Sequence, residues 1–233
     1  MTPTNLLVAR RFAGPIGFAN GGWLAGMVAQ ASGLDPAEVT LRRPIPLDVD
    51  LVFDDGRLSL ADELLAEVRE GEFTRDIPTV VSLEEAQAGE SRSLVRSSPE
   101  YGNCLVCGVD RPDGYGLRPG AVTGYDDTVA CVWRPGSLTP LLDPADVIPA
   151  TWAALDCPGV WTIDAPNDPM LLGRMTARVL TPPNLTDDVI AVGRRHTREG
   201  RKMFTSTALF SVDGTLMAHA EQIWIAVTGH PGA

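Results

Sequence analysis

The segment Val147 to Trp161, VIPATWAALDCPGVW, constrains this chain more than any other stretch. Apolar residues at Val147, Ile148, Trp152, Ala153 and Leu155 fill nearly every face of the helix that the spacing predicts, so such a helix must be wrapped by the fold rather than laid on its surface. A single acid, Asp156, lies in the run, and Pro158-Gly159 stops it. Burying a carboxylate without a partner is costly or drives its pKa upward, so the position needs a reason. Two readings stand: an acid kept for chemistry, or one that caps a neighbouring loop or pairs with an arginine.

A second helix is expected over Phe18–Ala31, FANGGWLAGMVAQA, and its lack of polar surface demands burial too. Asn20 can cap it, and Gly21, Gly22, Ala25 and Gly26 allow another backbone to come close. A strand is expected before it, over Leu6–Phe12, and strands follow it at Val39–Ile45, Val49–Phe53, Arg57–Ala61 and Leu64–Arg69. Pro44 and Pro46 cannot donate to a ladder and mark a bend or an edge.

Residues 71–116 turn to Gly, Ser, Pro and charge. Ser82-Leu-Glu-Glu85 has the spacing of a capping box and opens a short polar helix. Beyond it the first half is repeated: a strand near Val129–Trp133, the helix near 147–158, then strands at Met170–Leu180, Asp188–Arg194, Met203–Ser211 and Leu216–Val227. Pro44 corresponds to Pro182, Leu41 to Val179, Leu47 to Leu185, and Asn20 falls opposite Asp156. The implied architecture is α+β, two repeats of a buried helix wrapped by a curled antiparallel sheet. The division is 1–70 for the first repeat, 71–116 for a connector and 117–233 for the second.

A net charge of -11 argues against nucleic acid as a partner, and no apolar run reaches the roughly 20 residues of a membrane span. Arg10-Arg11 and the residues after them loosely imitate a secretory signal, but glycines interrupt the apolar region, so the expected location is the cytoplasm. Four cysteines, at 104, 107, 131 and 157, fit a reducing compartment. Cys104 and Cys107 have zinc-ligand spacing without a second ligand pair, so no metal is expected and two semi-buried thiols in a turn are.

Three motifs, Phe18-Ala-Asn-Gly-Gly-Trp23, Ala154-Leu-Asp-Cys-Pro-Gly-Val-Trp161 and Gly214-Thr-Leu-Met-Ala-His-Ala-Glu-Gln222, resemble segments of the type II acyl-CoA thioesterases, whose fold is the double hotdog. The first is similar to a His-Gly-Gly entry into the hotdog helix, with Asn20 replacing the histidine. The second is similar to the segment carrying the family's catalytic Asp, and the third to the strand carrying its Gln. The resemblance implies Asp156 and Gln222 as catalytic residues. It puts the family's Ser or Thr near Thr197, with His196 as the neighbouring choice. One extra residue separates Asp156 from Trp161 relative to the family, and Thr197 lies among arginines rather than serines. Bacterial hotdog proteins with a Cys-x-x-Cys-Gly connector are also similar.

The chemistry so implied is hydrolysis of an acyl-CoA or acyl-carrier thioester within lipid metabolism, coenzyme A being part of the substrate and no other cofactor being needed. Asp156, with Gln222 and Thr197, would hold and activate a water. The amides of Gly21 and Gly22, beside Asn20, would polarise the carbonyl, unless those glycines serve only close packing. Arg194, Arg195 and Arg198 belong to the one dense basic cluster and would hold coenzyme A phosphates, or simply guard a solvated hairpin. Hydration or conjugate addition on an enoyl thioester, and a non-catalytic acyl-binding or interaction module, remain as alternatives. A monomer and a homo-oligomer are both open.

Overall fold

The computed structural model describes residues 3–135, 143–163, 165–184 and 186–227; Leu185 lies outside them. The first half comprises β1 (Thr4–Leu7), α1 (Gly21–Ser32), β2 (Ala37–Leu41), β3 (Asp50–Asp54), β4 (Arg57–Leu60) and β5 (Glu63–Glu70). After α2 (Leu83–Glu90) come β6 (Gly120–Ala121), β7 (Thr128–Trp133), α3 (Val147–Val160), β8 (Met170–Val179), β9 (Val189–Glu199), β10 (Lys202–Ser211) and β11 (Leu216–Ala226). All eleven strands join one sheet in the order β1-β3-β4-β5-β2-β8-β11-β10-β9-β7-β6. Its seam is the antiparallel pair β2 and β8, with Ala37 opposite Ala177 and Thr40 opposite Arg174.

The sheet curls around α1 and α3, which pack on each other. Every residue of α3 from Pro149 to Val160 is buried, Asp156 included. The helices meet through glycine: a Cβ on Gly26 would lie 2.7 Å from the Pro149 Cα, and one on Gly22 would lie 2.5 Å from the Asp156 Cβ. Both distances are shorter than any real carbon contact, so the two positions set the approach that places α1 against the acid. On the other side of α3, Gly193 of β9 abuts the Pro158 carbonyl and Gly159 abuts Gln222 of β11.

The expected strand over Leu6–Phe12 stops at Leu7, and residues 10–12 form a 3-10 turn. Phe12 there stacks on Trp23 at a centroid distance of 3.6 Å, and its carbonyl accepts from the Asn20 amide, fixing the entry to α1. The strand expected over Val39–Ile45 ends at Leu41, where the Arg42 and Arg43 amides turn to the Leu65 carbonyl before the prolines. In α2 both bonds of the Ser82–Glu85 capping box form.

Candidate active site

Helix α1 begins at the wall of α3, and its N-terminus is aimed at Asp156. Asn20 caps it: Oδ1 accepts from the Trp23 amide at 2.8 Å, which leaves Nδ2 to donate to Asp156 Oδ2 at 3.2 Å. The Gly22 amide donates to the same oxygen at 3.0 Å. First-turn amides have no acceptor within their own helix, and the helix end favours an anion, so α1 is a receptor for this carboxylate. The other oxygen, Oδ1, is buried and has no hydrogen-bond partner among the described residues. Burial pushes the Asp156 pKa up to about 7, and the Gly22 and Asn20 donors pull against that rise.

Asp156 lines a cavity of about 290 Å³. Its walls are largely apolar, with Phe18, Leu41, Val160, Leu172 and Trp224 among them, and Gly21 stands at the α1 end. Gly21 is the first helical residue, and its amide has no bonded acceptor among the described residues. Trp23, Trp152 and Trp161 are buried core residues and do not line it.

Gln222 and Asp156 are close, but through the main chain of α3. Gln222 Nε2 donates to the Leu155 carbonyl at 2.8 Å and to the Asp156 carbonyl at 3.1 Å. Its Oε1 accepts from the Thr205 hydroxyl at 2.8 Å and the Trp224 indole at 3.3 Å. The amide is thereby fully used, and it does not line the cavity. Thr197 is elsewhere, exposed on β9. β10 lies between β9 and β11, so Thr197 is kept away from Gln222; Thr205 of β10, fully buried, is directly opposite Gln222. The signal was present in the sequence as Thr205-Ser-Thr207, hydroxyls inside an otherwise apolar strand. His196 instead bonds the Ser206 hydroxyl at 2.8 Å, and Ser206 donates to the Asp76 carbonyl.

The arginines divide differently from the sequence expectation as well. Arg195 pairs with Asp127, Arg198 pairs with Asp168, Arg194 is exposed, and none of them lines the Asp156 cavity. Arg42, Arg43 and Arg201 do. Arg43 pairs with Glu63 at 3.1 Å and Arg42 with Glu67, whereas Arg201 donates only to the Ala226 carbonyl, at 2.9 and 3.1 Å, and keeps its charge without an acidic partner among the described residues. Arg42-Arg43 before Pro44 went unread because the pair lies on the other half of the chain from the acid.

Two helices at the centre of one curled antiparallel sheet, joined along a single strand seam, define the double hotdog fold. Solved structures share it across nearly the whole chain. A conserved protein of unknown function with a hot dog fold from Alicyclobacillus acidocaldarius aligns over 98% of this chain and 94% of its own at 13% identity and a TM-score of 0.61. The tesB protein of Mycobacterium avium subs paratuberculosis aligns over 97% and 93% at 14% and 0.63. The acyl-CoA thioesterase II TesB2 of Mycobacterium marinum aligns over 97% and 93% at 12% and 0.61. No protein-family model matches the sequence, and no curated protein matches it significantly. No helix among the described residues is long and apolar enough to cross a membrane.

Proposed function

We propose that this chain hydrolyses an acyl thioester, with Asp156 as the base that primes the attacking water. One observation carries the reading: a buried carboxylate has one oxygen held by the Gly22 amide and Asn20, while its other oxygen has no partner and the residue lines an apolar cavity. Most buried carboxylate oxygens are satisfied, so an unpartnered one on a residue that lines a cavity offers a position for a water. In this reading a water bonded to Oδ1 adds to the thioester carbonyl as its proton passes to Asp156. The resulting oxyanion meets the Gly21 amide and the positive end of α1; the carbon–sulfur bond then breaks, and the departing thiolate takes the proton. Gly22 cannot share the oxyanion role expected of it, since its amide is spent on Asp156.

The apolar walls suit the acyl chain, and Arg201, which has no acidic partner among the described residues, suits a phosphate of a coenzyme A or carrier thioester. Thiol release from a panel of acyl-CoA esters tests the proposal. Turnover supports it, and a saturable thermal shift with no thiol release replaces it by a binding module. Replacing Arg201 by Ala is expected to raise KM for acyl-CoA about tenfold at low salt with kcat little changed, one charge-assisted contact being worth about 1.5–3 kcal/mol. Arg194→Ala should leave KM within error, as a steady-state comparison of the two variants will show.

Gln222 and Thr205 enter as the brace that holds the last turn of α3, and so the carboxylate, in place. Thr205→Val removes one of two donors to Gln222 Oε1 and is expected to cost about 1–3 kcal/mol, read from urea midpoints. Thr197→Val, on the exposed face of β9, should cost nothing measurable.

A further inference from the structure

We infer that Cys104, Cys107 and Cys157 form a thiolate site for a single zinc-class cation, clamping the connector onto helix α3. Sequence spacing left Cys104-x-x-Cys107 two ligands short; the fold brings in Cys157 from 50 residues away. Cys157 Sγ lies 3.7 Å from Cys104 Sγ and 3.5 Å from Cys107 Sγ, and all three sulfurs fall within 4.8 Å of one another, fully enclosed. Tetrahedral zinc with bonds of about 2.3 Å needs its sulfurs about 3.8 Å apart, close to the 3.7 and 3.5 Å of the two pairs that Cys157 makes. A disulfide needs about 2.05 Å, and none of the three is bridged.

Asn20 Nδ2 stands 3.8 Å from Cys104 Sγ and can donate to it. The turn that carries Cys104 and Cys107 closes through Gly108, whose amide bonds the Cys104 carbonyl at 2.8 Å. A Cβ on Gly108 would lie 2.3 Å from the Gly102 carbonyl oxygen, so the Cys-x-x-Cys-Gly turn admits no side chain there. Soft sulfur ligands select zinc's class of ion over magnesium or calcium. Cys104 and Cys157 line the Asp156 cavity and Cys107 does not, so the three sulfurs adjoin that cavity. The ion would tie residues 104–107 to the turn of α3 that holds Asp156, and its binding energy would become folding energy.

Metal analysis of the full chain, purified reduced and without chelator and then given zinc and desalted, is expected to find about one zinc per chain. Cys107→Ser should cut that at least tenfold. Should the variant not fold, cobalt loading of the wild type is the second measurement, with a sulfur-to-cobalt charge-transfer band and tetrahedral d–d bands expected. Chelation should lower the melting temperature and zinc should restore it. Wild-type protein that retains no zinc and gives only octahedral cobalt overturns the inference, as does a disulfide between any two of these cysteines in freshly prepared protein. None of these readouts involves thioester turnover, so the clamp and the hydrolase can fail separately.

Discussion

Asp156→Asn is expected to lower kcat for thioester hydrolysis by about 10²- to 10⁴-fold, the usual contribution of a positioned general base, with little change in KM. The substitution is close to isosteric. The Gly22 amide and the Asn20 Nδ2 can still donate to the new amide oxygen, so the end of α1 stays seated on α3. Folding should be no weaker than in the wild type, because a neutral amide does not bear the desolvation cost that pushes the carboxyl up to about 7. The expected pattern is thus lost turnover with an unchanged or higher thermal midpoint. Thiol release, KM and a melting curve on the same preparation decide it. A variant whose kcat stays within a factor of three of wild type removes Asp156 from the chemistry, and one that also melts far lower would mark the acid as structural.

Much of the architecture was legible because two kinds of signal are local. Helices α1 and α3 lack a polar face, and such helices must be buried, so residues 18–31 and 147–158 announced the centre of the fold before any contact was known. The strand expected over Met203–Ser211, mostly apolar in sequence and buried from Met203 to Phe210, was equally plain. The misplacements have a common cause. Thr197 against Thr205 was decided by strand order: β10, not β9, lies beside β11 and sets Thr205 opposite Gln222, and no single strand encodes its neighbour or its register. The basic cluster at 194–202 drew attention by density, yet Arg195 and Arg198 are spent on Asp127 and Asp168, acids distant in sequence. Cys157 beside Cys104 and Cys107 was hidden likewise, since the third sulfur comes from a helix while the other two come from a turn. Asn20 opposite Asp156 was readable from the repeat, whereas the bond between them was not; it needs the helices brought to the distance that Gly22 and Gly26 permit.

That distance is the basis of the second large effect. Gly22→Ala is expected to destabilise the protein by about 3 kcal/mol, at or above the top of the usual range for overpacking. The new Cβ would sit 2.5 Å from the Asp156 Cβ, 2.7 Å from the Trp152 carbonyl oxygen and 3.0 Å from the Ala153 Cα. Two of these three are main-chain atoms of a helix buried on every side, so no side chain can swing away and α1 must lift off α3 as a body. At about 2–4 °C per kcal/mol for a chain of this size, the melting temperature should fall by about 6–12 °C. Gly21→Ala is the matched control for stability: its Cβ would meet Leu172 Cδ2 at 3.0 Å and Leu172 Cβ at 3.2 Å, side-chain atoms of one strand residue rather than the main chain of a buried helix. The chemistry should suffer beyond the stability loss. Lifting α1 withdraws the Gly22 amide and Asn20 from the carboxylate, leaving a buried anion with fewer donors, so turnover should fall even at temperatures where Gly22→Ala is fully folded. Melting curves of the two glycine variants, with kcat measured well below both midpoints, separate the two consequences. A Gly22→Ala protein as stable and as active as wild type would mean that the helices have room to spare, and the close approach invoked to hold Asp156 would have to be abandoned.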